Sequence, residues 1–426
     1  MSSKRVAIAL ASLLAAPLAL ELGYRAWTRT GDYRYSASSA RNEIALVLSP
    51  LRNARPVRLP REEEAQVTVQ FLHPYLGVEY KSGSRWTISA EEFSKRSEAE
   101  YTVLILGGSV SAIFASGRGA QHLRELLRAD PRFAGRTVRC INQGRGGYKQ
   151  PQQLMLLGYL FARGIRPDLV LEIDGFNEVA LGNDNATRRL HPLYPPFIPW
   201  ARLGSFGGAS PELLDAQLAT WREWRRAERV AASASRSPLL HSALIGRWTI
   251  RRLRRMRARW IEAQRGYMDL LGSQAGDEPW RGPPFEEGPE AAPGRVARAW
   301  KDASLDMRAL CAERGIAYVH VLQPTLHDEG SKPATQEELR VGTMLDTWRE
   351  GVRAGYPLLR EAGEELRAQG VDFLDLSRAF SDVEQSVYYD GCHFDDRGNE
   401  ILAERIAEAV LAALERERAR PAEDRR

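Results

Sequence analysis

The sequence predicts an α/β protein: a three-layer α/β/α sandwich around a central, mostly parallel sheet, with a largely helical insertion. Short apolar runs rich in β-branched and aromatic residues recur at 101–106, 138–142, 167–174, 315–322 and 371–376. Segments with helical spacing stand between them, and the first three runs end in glycines or small polar residues. Near-continuous apolar strands that alternate with helices are the mark of a parallel sheet covered on both faces.

The elements follow in order. Lys4 and Arg5 precede the apolar run Val6–Leu20, which Glu21 closes. This reads as a signal anchor over 1–25 that places the rest of the chain on the far side of an inner membrane, facing the periplasm or cell exterior; a cleaved signal peptide is the alternative. Residues 26–100 read as a linker and N-terminal extension, with a strand at 66–71 and an aromatic turn, HPYLG, at 73–77. The core is expected over 101–183 plus 301–414. Its strands are the five runs above, and its helices fall near 120–127, 151–162, 297–313, 338–368 and 398–417. The insertion, 184–300, opens on the proline-rich HPLYPPFIPW and continues as helices at 211–230 and 244–265. In the second of these Ile245, Leu253, Met256 and Trp260 form an apolar stripe. Residues 415–426 are a charged tail.

The chain has 426 residues with 43% hydrophobic and 27% charged, which suits a large core and excludes a disordered or multi-span membrane protein. Three cysteines cannot form a disulfide framework. The net charge of +5 is uneven: His241–Arg265 holds eight arginines and one glutamate, +7, so the remainder sums to −2. That block reads as a solvated helix face, a surface for anionic lipid headgroups, or a site for an acidic polymer. Nucleic acid is not expected, because no binding motif accompanies the arginines.

Four segments carry chemistry. Ser109, in LILGGSVS, stands on a strand-to-helix turn, where open parallel sheets bind ligands; a helix cap is the plainer reading. Gly144, Gly146 and Gly147 follow the second strand and let backbone approach a ligand, yet match neither dinucleotide nor phosphate-loop spacing. Asn177, in LEIDGFNE, can donate an amide to a developing oxyanion, and Asp174 and Glu178 are polar neighbours. Asp390 and His393, in YYDGCHFDD, have the spacing for a carboxylate that orients an imidazole; with Asp395 and Asp396 they could alternatively hold a metal. Gln323 and His327, after the fourth strand, are possible pocket residues. Together these segments supply a nucleophile, a base with its orienter, and oxyanion donors.

On these blocks the sequence resembles the SGNH/GDSL hydrolases. GGSVS matches the nucleophile block, Asn142 and Gly147 the second, Asn177 in DGFNE the third, and Asp390-x-x-His393 the last. Two departures stand out: Gly108 where many members have aspartate, and N-E where N-D is more usual. HPYLG and LQPTLHDEGSK are similar to a bacterial membrane-anchored branch. The resemblance implies a flavodoxin-like fold and an esterase without cofactor or metal. Its catalytic residues would be Ser109, His393 and Asp390, with an oxyanion hole from Ser109, Gly147 and Asn177. The implied partner is an acyl ester, such as an acylated envelope polysaccharide or lipid, and the N-terminal segment would be the membrane contact. A polysaccharide O-acetyltransferase and a catalytically silent envelope scaffold are the alternatives; oligomeric state is left open.

Overall fold

A computed structural model describes residues 19–26, 35–53, 69–81, 97, 99–197, 200, 210–273 and 283–419. The chain divides into two compact units, one of residues 59–208 and 277–426, the other of residues 1–58 and 209–276.

The larger unit is a three-layer α/β/α sandwich. Its central sheet contains β1 (Glu100–Gly107), β2 (Thr137–Asn142), β3 (Leu169–Asp174), β4 (Ala317–Leu322) and β5 (Asp372–Asp375). They lie in the order β2-β1-β3-β4-β5, and every neighbouring pair is parallel. The helices are α1 (Ser109–Ser116), α2 (Arg118–Ala129), α3 (Gln152–Ala162), α4 (Phe176–Thr187), α5 (Ala292–Ala312), α6 (Gln336–Val341), α7 (Asp346–Ala368) and α8 (Asp396–Ala419).

Strand pleating explains the layering, since successive side chains leave a strand on opposite faces. Val103 and Ile105 of β1 join a core with Leu123 and Leu127 of α2 and Leu402, Ile406 and Val410 of α8. Leu104 and Leu106 join the opposite core with Leu156 and Leu160 of α3, Trp300 and Met307 of α5, and Val352, Tyr356 and Leu359 of α7. The chain passes from β1 out to β2 and then back across to β3. The crevice at the carboxyl ends of β1 and β3 is therefore the point where the strand order reverses, the usual ligand position in such sheets.

Three boundaries differ from the sequence expectation. The helix expected at 338–368 is broken into α6 and α7, because Gly342 closes α6 with a hydrogen bond from its N–H to the Glu338 carbonyl (2.7 Å). Phe176–Thr187 is helical although its sequence shows no amphipathic stripe; eleven of its residues are buried. HPYLG forms the turn of an antiparallel hairpin, Val69–His73 with Gly77–Lys81, and residues 66–68 of the expected strand lie outside the described residues.

The smaller unit is helical. Helices Pro211–Arg236 and Ala243–Ser273 pack together with a third, Ala37–Asn53, which the sequence reads as linker. Ala40, Ile44, Val47 and Leu48 of that third helix share a core with Trp224, Ala227, Leu240, Ile250, Leu253 and Trp260.

The membrane anchor expected at the N-terminus is corrected. Among the described residues no helix is long and apolar enough to cross a membrane, and residues 1–18 of the expected anchor lie outside them. Residues 19–26 are helical; Leu20 and Leu22 are exposed, and Glu21 and Arg25 make polar contacts within the smaller unit. The Glu21 carboxylate accepts from Ser242 Oγ (2.7 Å) and from the N–H groups of Ala243 (2.6 Å) and Leu244 (3.1 Å), and it pairs with Arg25 (2.7 Å). The membrane partner and the inner-membrane location expected with the anchor are corrected with it: no described helix supports them.

Candidate active site

Ser109 is the first helical residue of α1, directly after β1. The turn that presents it is tightly built. Gly107 has φ +127°, a conformation that disfavours a side chain, and a Cβ there would fall 2.0 Å from the Ile173 carbonyl oxygen. The Arg145 N–H donates to the Gly107 carbonyl (2.9 Å), and the Asn142 amide donates to the Ala112 carbonyl (2.9 Å). The loop after β2 thus fastens the start of α1.

Ser109 Oγ lies 2.7 Å from His393 Nε2, and His393 Nδ1 lies 2.7 Å from Asp390 Oδ2. A carboxylate can only accept from Nδ1–H, so the tautomer that satisfies both contacts leaves Nε2 free to accept the serine proton. The other carboxylate oxygen of Asp390 accepts from the N–H groups of Cys392 (2.9 Å) and His393 (2.8 Å). Burial acts to raise the Asp390 carboxyl, but the hydrogen bonds from His393 and from these backbone groups outweigh it and hold its pKa below the usual carboxylate range. Tyr389 stacks on the imidazole, with ring centroids 5.9 Å apart and planes 12° from parallel.

Asn177 sits at the start of α4, just past β3. Its Nδ2 donates to the Tyr148 carbonyl (2.8 Å) in the loop that contains Gly147, which has φ +78°. A Cβ at Gly108 would fall 2.3 Å from Asn177 Nδ2 and 3.5 Å from the Tyr148 oxygen. The residue before the serine, the Asn177 amide and the loop after β2 therefore meet at one point. Glu178 ties them together: its carboxylate accepts from the N–H groups of Gly175 (2.8 Å) and Gln150 (3.0 Å) and from Gln153 Nε2 (3.2 Å). Burial first, and then the nearby Asp174 carboxylate, push the Glu178 pKa up to about 8.

A cavity of about 440 Å³ opens beside the triad. Phe176, Met344, Leu345 and Trp348 give it apolar walls, and Asp390 and His393 stand on its polar side. Its far wall is the break between α6 and α7. Gln323 and His327 are not among its lining residues. The Gln323 N–H donates to the Asp174 carbonyl (2.9 Å). His327 Nε2 is engaged with the Gly342 carbonyl (2.7 Å) beneath Gly391, and burial lowers its pKa.

The Asp390, Cys392 and His393 donor atoms lie within 4.8 Å of one another, as a metal site would need. Both His393 nitrogens are, however, already within hydrogen-bond reach of Ser109 and Asp390, and Asp395 caps α8 through the Gly398 N–H (3.0 Å). Burial drives the Cys392 thiol well above its ordinary pKa, which disfavours a thiolate ligand or nucleophile.

Two features escape sequence reasoning. Lys332 and Glu338 form a fully buried ion pair (3.1 Å), and Glu338 also accepts the N–H groups of Val387 (2.9 Å) and Tyr388 (3.0 Å), fixing the segment that leads to Asp390. Ser304, His320 and Asp174 form a second serine–histidine–aspartate line (2.8 and 2.9 Å), but these residues are at most 2% exposed, and a substrate has no access to them. Neither set has a spacing that marks it in the sequence.

No protein-family model matches the chain, and no curated protein matches it. Several solved structures do. It is similar to LAE5, an alpha/beta hydrolase from the metagenome of Lake Arreo, Spain, at 15% identity over 74% of this chain and 94% of that one, with a TM-score of 0.34. It is similar to a GDSL-like lipase from Bacteroides thetaiotaomicron at 10% identity over 76% and 94%, TM-score 0.35. A third is Axe2, an acetylxylan esterase from Geobacillus stearothermophilus, at 12% identity over 73% and 94%, TM-score 0.32. At TM-scores this low the likeness assigns neither family nor activity to this chain, and the site's own geometry has to carry the functional reading.

Proposed function

We propose that the chain is a serine hydrolase of the SGNH/GDSL type that cleaves an oxygen ester. The observation that carries this is the unbroken hydrogen-bond line from Ser109 Oγ through both nitrogens of His393 to Asp390, at 2.7 Å in each step. It is supported by the position of the serine at the carboxyl end of β1 and by the strand order β2-β1-β3-β4-β5.

In this reading Ser109 Oγ attacks the ester carbonyl while its proton passes to His393 Nε2. Asp390 holds the imidazole in the required tautomer and stabilises its cation. The Ser109 and Gly147 N–H groups and the Asn177 amide receive the negative charge on the carbonyl oxygen. His393 then returns the proton to the departing alcohol, and water attacks the acyl-serine with His393 again as base. The apolar walls at Met344, Leu345 and Trp348 suit a hydrocarbon portion of the ester.

The test is turnover of p-nitrophenyl esters of graded acyl length by wild type and Ser109→Ala. We expect Ser109→Ala to lose at least about 10³-fold in kcat while keeping the wild-type melting curve. Wild-type turnover in that variant would overturn the reading. Trp348→Ala, which enlarges the cavity, should shift preference toward longer acyl or bulkier alcohol groups.

A further inference from the structure

We propose that the smaller unit contains a binding site for a soluble compound with closely spaced phosphate groups, in a cleft between helices Pro211–Arg236 and Ala243–Ser273. The cleft is open to solvent and has a volume of about 570 Å³, within the range of small-molecule sites. Arg226 and Arg229 line it from the first helix, and Arg252, Arg255 and Arg259 from the second. The latter three recur at spacings of three and four, so they project from one helical face along about 10 Å of axis. All five side chains are exposed.

These arginines have little to neutralise them. Arg226 pairs with Glu223 (2.6 Å), and Arg229 reaches the Arg225 carbonyl (3.4 Å). Arg252 lies over the Trp248 ring, 5.4 Å from its centroid. Among the described residues no carboxylate pairs with Arg252, Arg255 or Arg259. Their own helix cannot supply one on each turn, because Ala243–Ser273 carries eight arginines against Glu262 and Asp269. An ordinary solvated helix interleaves charges of both signs, which stabilises it; five guanidinium groups around one cavity repel one another and concentrate positive potential inside it.

The occupant that relieves this is an anion with several charged oxygen groups in a row. A planar guanidinium offers paired N–H donors that match phosphate oxygens, and several such forks along one helix face favour an extended oligophosphate over a single phosphate. Leu253 and Trp260 of this helix are buried in the unit's own core, whereas Trp248 is exposed and lies within the cleft beneath Arg252.

The experiment is calorimetric titration of the full chain with tripolyphosphate, and with orthophosphate at matched ionic strength. We expect saturable binding near one-to-one, with orthophosphate at least about tenfold weaker. R252Q/R255Q/R259Q should weaken tripolyphosphate binding by about tenfold or more. R340Q/R397Q/R405Q, which removes the same charge from exposed positions of the other unit, should leave it unchanged. R255Q/R259Q, with a smaller loss in the same direction, covers the case in which the triple variant does not fold. Absence of saturable heat, or equal weakening in both triple variants, would overturn the assignment. So would binding to phosphatidylglycerol vesicles that tripolyphosphate fails to compete, which would make the arginines a lipid-facing surface instead.

Discussion

Asn177 has two amide hydrogens, and the Tyr148 carbonyl takes one of them. That contact fixes the amide plane, and in the proposed mechanism the second N–H serves the substrate oxygen. Asn177→Ala should therefore lower kcat by about 10²–10³-fold with little change in KM, as loss of one oxyanion donor does in a serine protease; steady-state kinetics on a soluble ester would check it. A change confined to KM would make Asn177 a positioning residue. Asp390→Asn substitutes an amide for the acceptor that selects the tautomer. It should leave the fold intact and lower kcat by about 10⁴-fold, the loss seen for the equivalent change in a well-studied triad protease. Ser109, Asn177, Asp390 and His393 are legible in the sequence as candidates, because each stands at a strand end or just before the terminal helix. Their distances are not, since Ser109 and His393 are 284 positions apart. Tyr389 and Glu338 were invisible for another reason: their roles depend on contacts that no local spacing encodes.

At the scale of elements, the turn between β1 and α1 has no room for a side chain ahead of the serine. Gly108→Ala would push a methyl group against Asn177 Nδ2, so it should lower kcat while most of the stability is retained. This close approach also gives a physical reason for glycine at 108, where the resemblance leads one to expect aspartate. The Glu338 carboxylate joins Lys332, the N-terminus of α6 and the segment before Asp390. Glu338→Gln would leave the buried Lys332 with the Pro333 and Val383 carbonyls but no counter-charge. Breaking a buried pair costs about 3 kcal/mol or more, and chemical denaturation should show a loss of that size. The five strands were readable because buried parallel strands are continuously apolar. Helix α4 was not, because a helix buried on nearly every side has no polar face to give it a period.

At the scale of the molecule, each unit has its own core, and its stability can be probed through its own residues. Glu21 caps a long helix of the smaller unit. Although burial works against its charge, the Ser242 hydroxyl and the Ala243 and Leu244 N–H groups bring its pKa from 4.5 down to about 2. A carboxyl with a depressed folded pKa contributes stability above its unfolded pKa and loses it as pH falls through the folded value. Glu21→Gln should therefore lower the melting temperature at neutral pH, by the equivalent of about 1 kcal/mol. The difference from wild type should shrink between pH 4.5 and about 2, as thermal scans across that range would show. The uneven charge is legible from the clustering of arginines in the sequence, whereas the third helix of this unit, Ala37–Asn53, reads as linker because its partners lie far along the chain. Intact-mass and peptide-mass measurement after treatment with a fluorophosphonate reports on the nucleophilicity of Ser109 itself. One phosphonyl adduct per chain is expected, located on Ser109, absent from Ser109→Ala and strongly slowed in His393→Ala. A folded wild-type chain that takes up no adduct, or one labelled at another residue, would contradict the proposed role of Ser109.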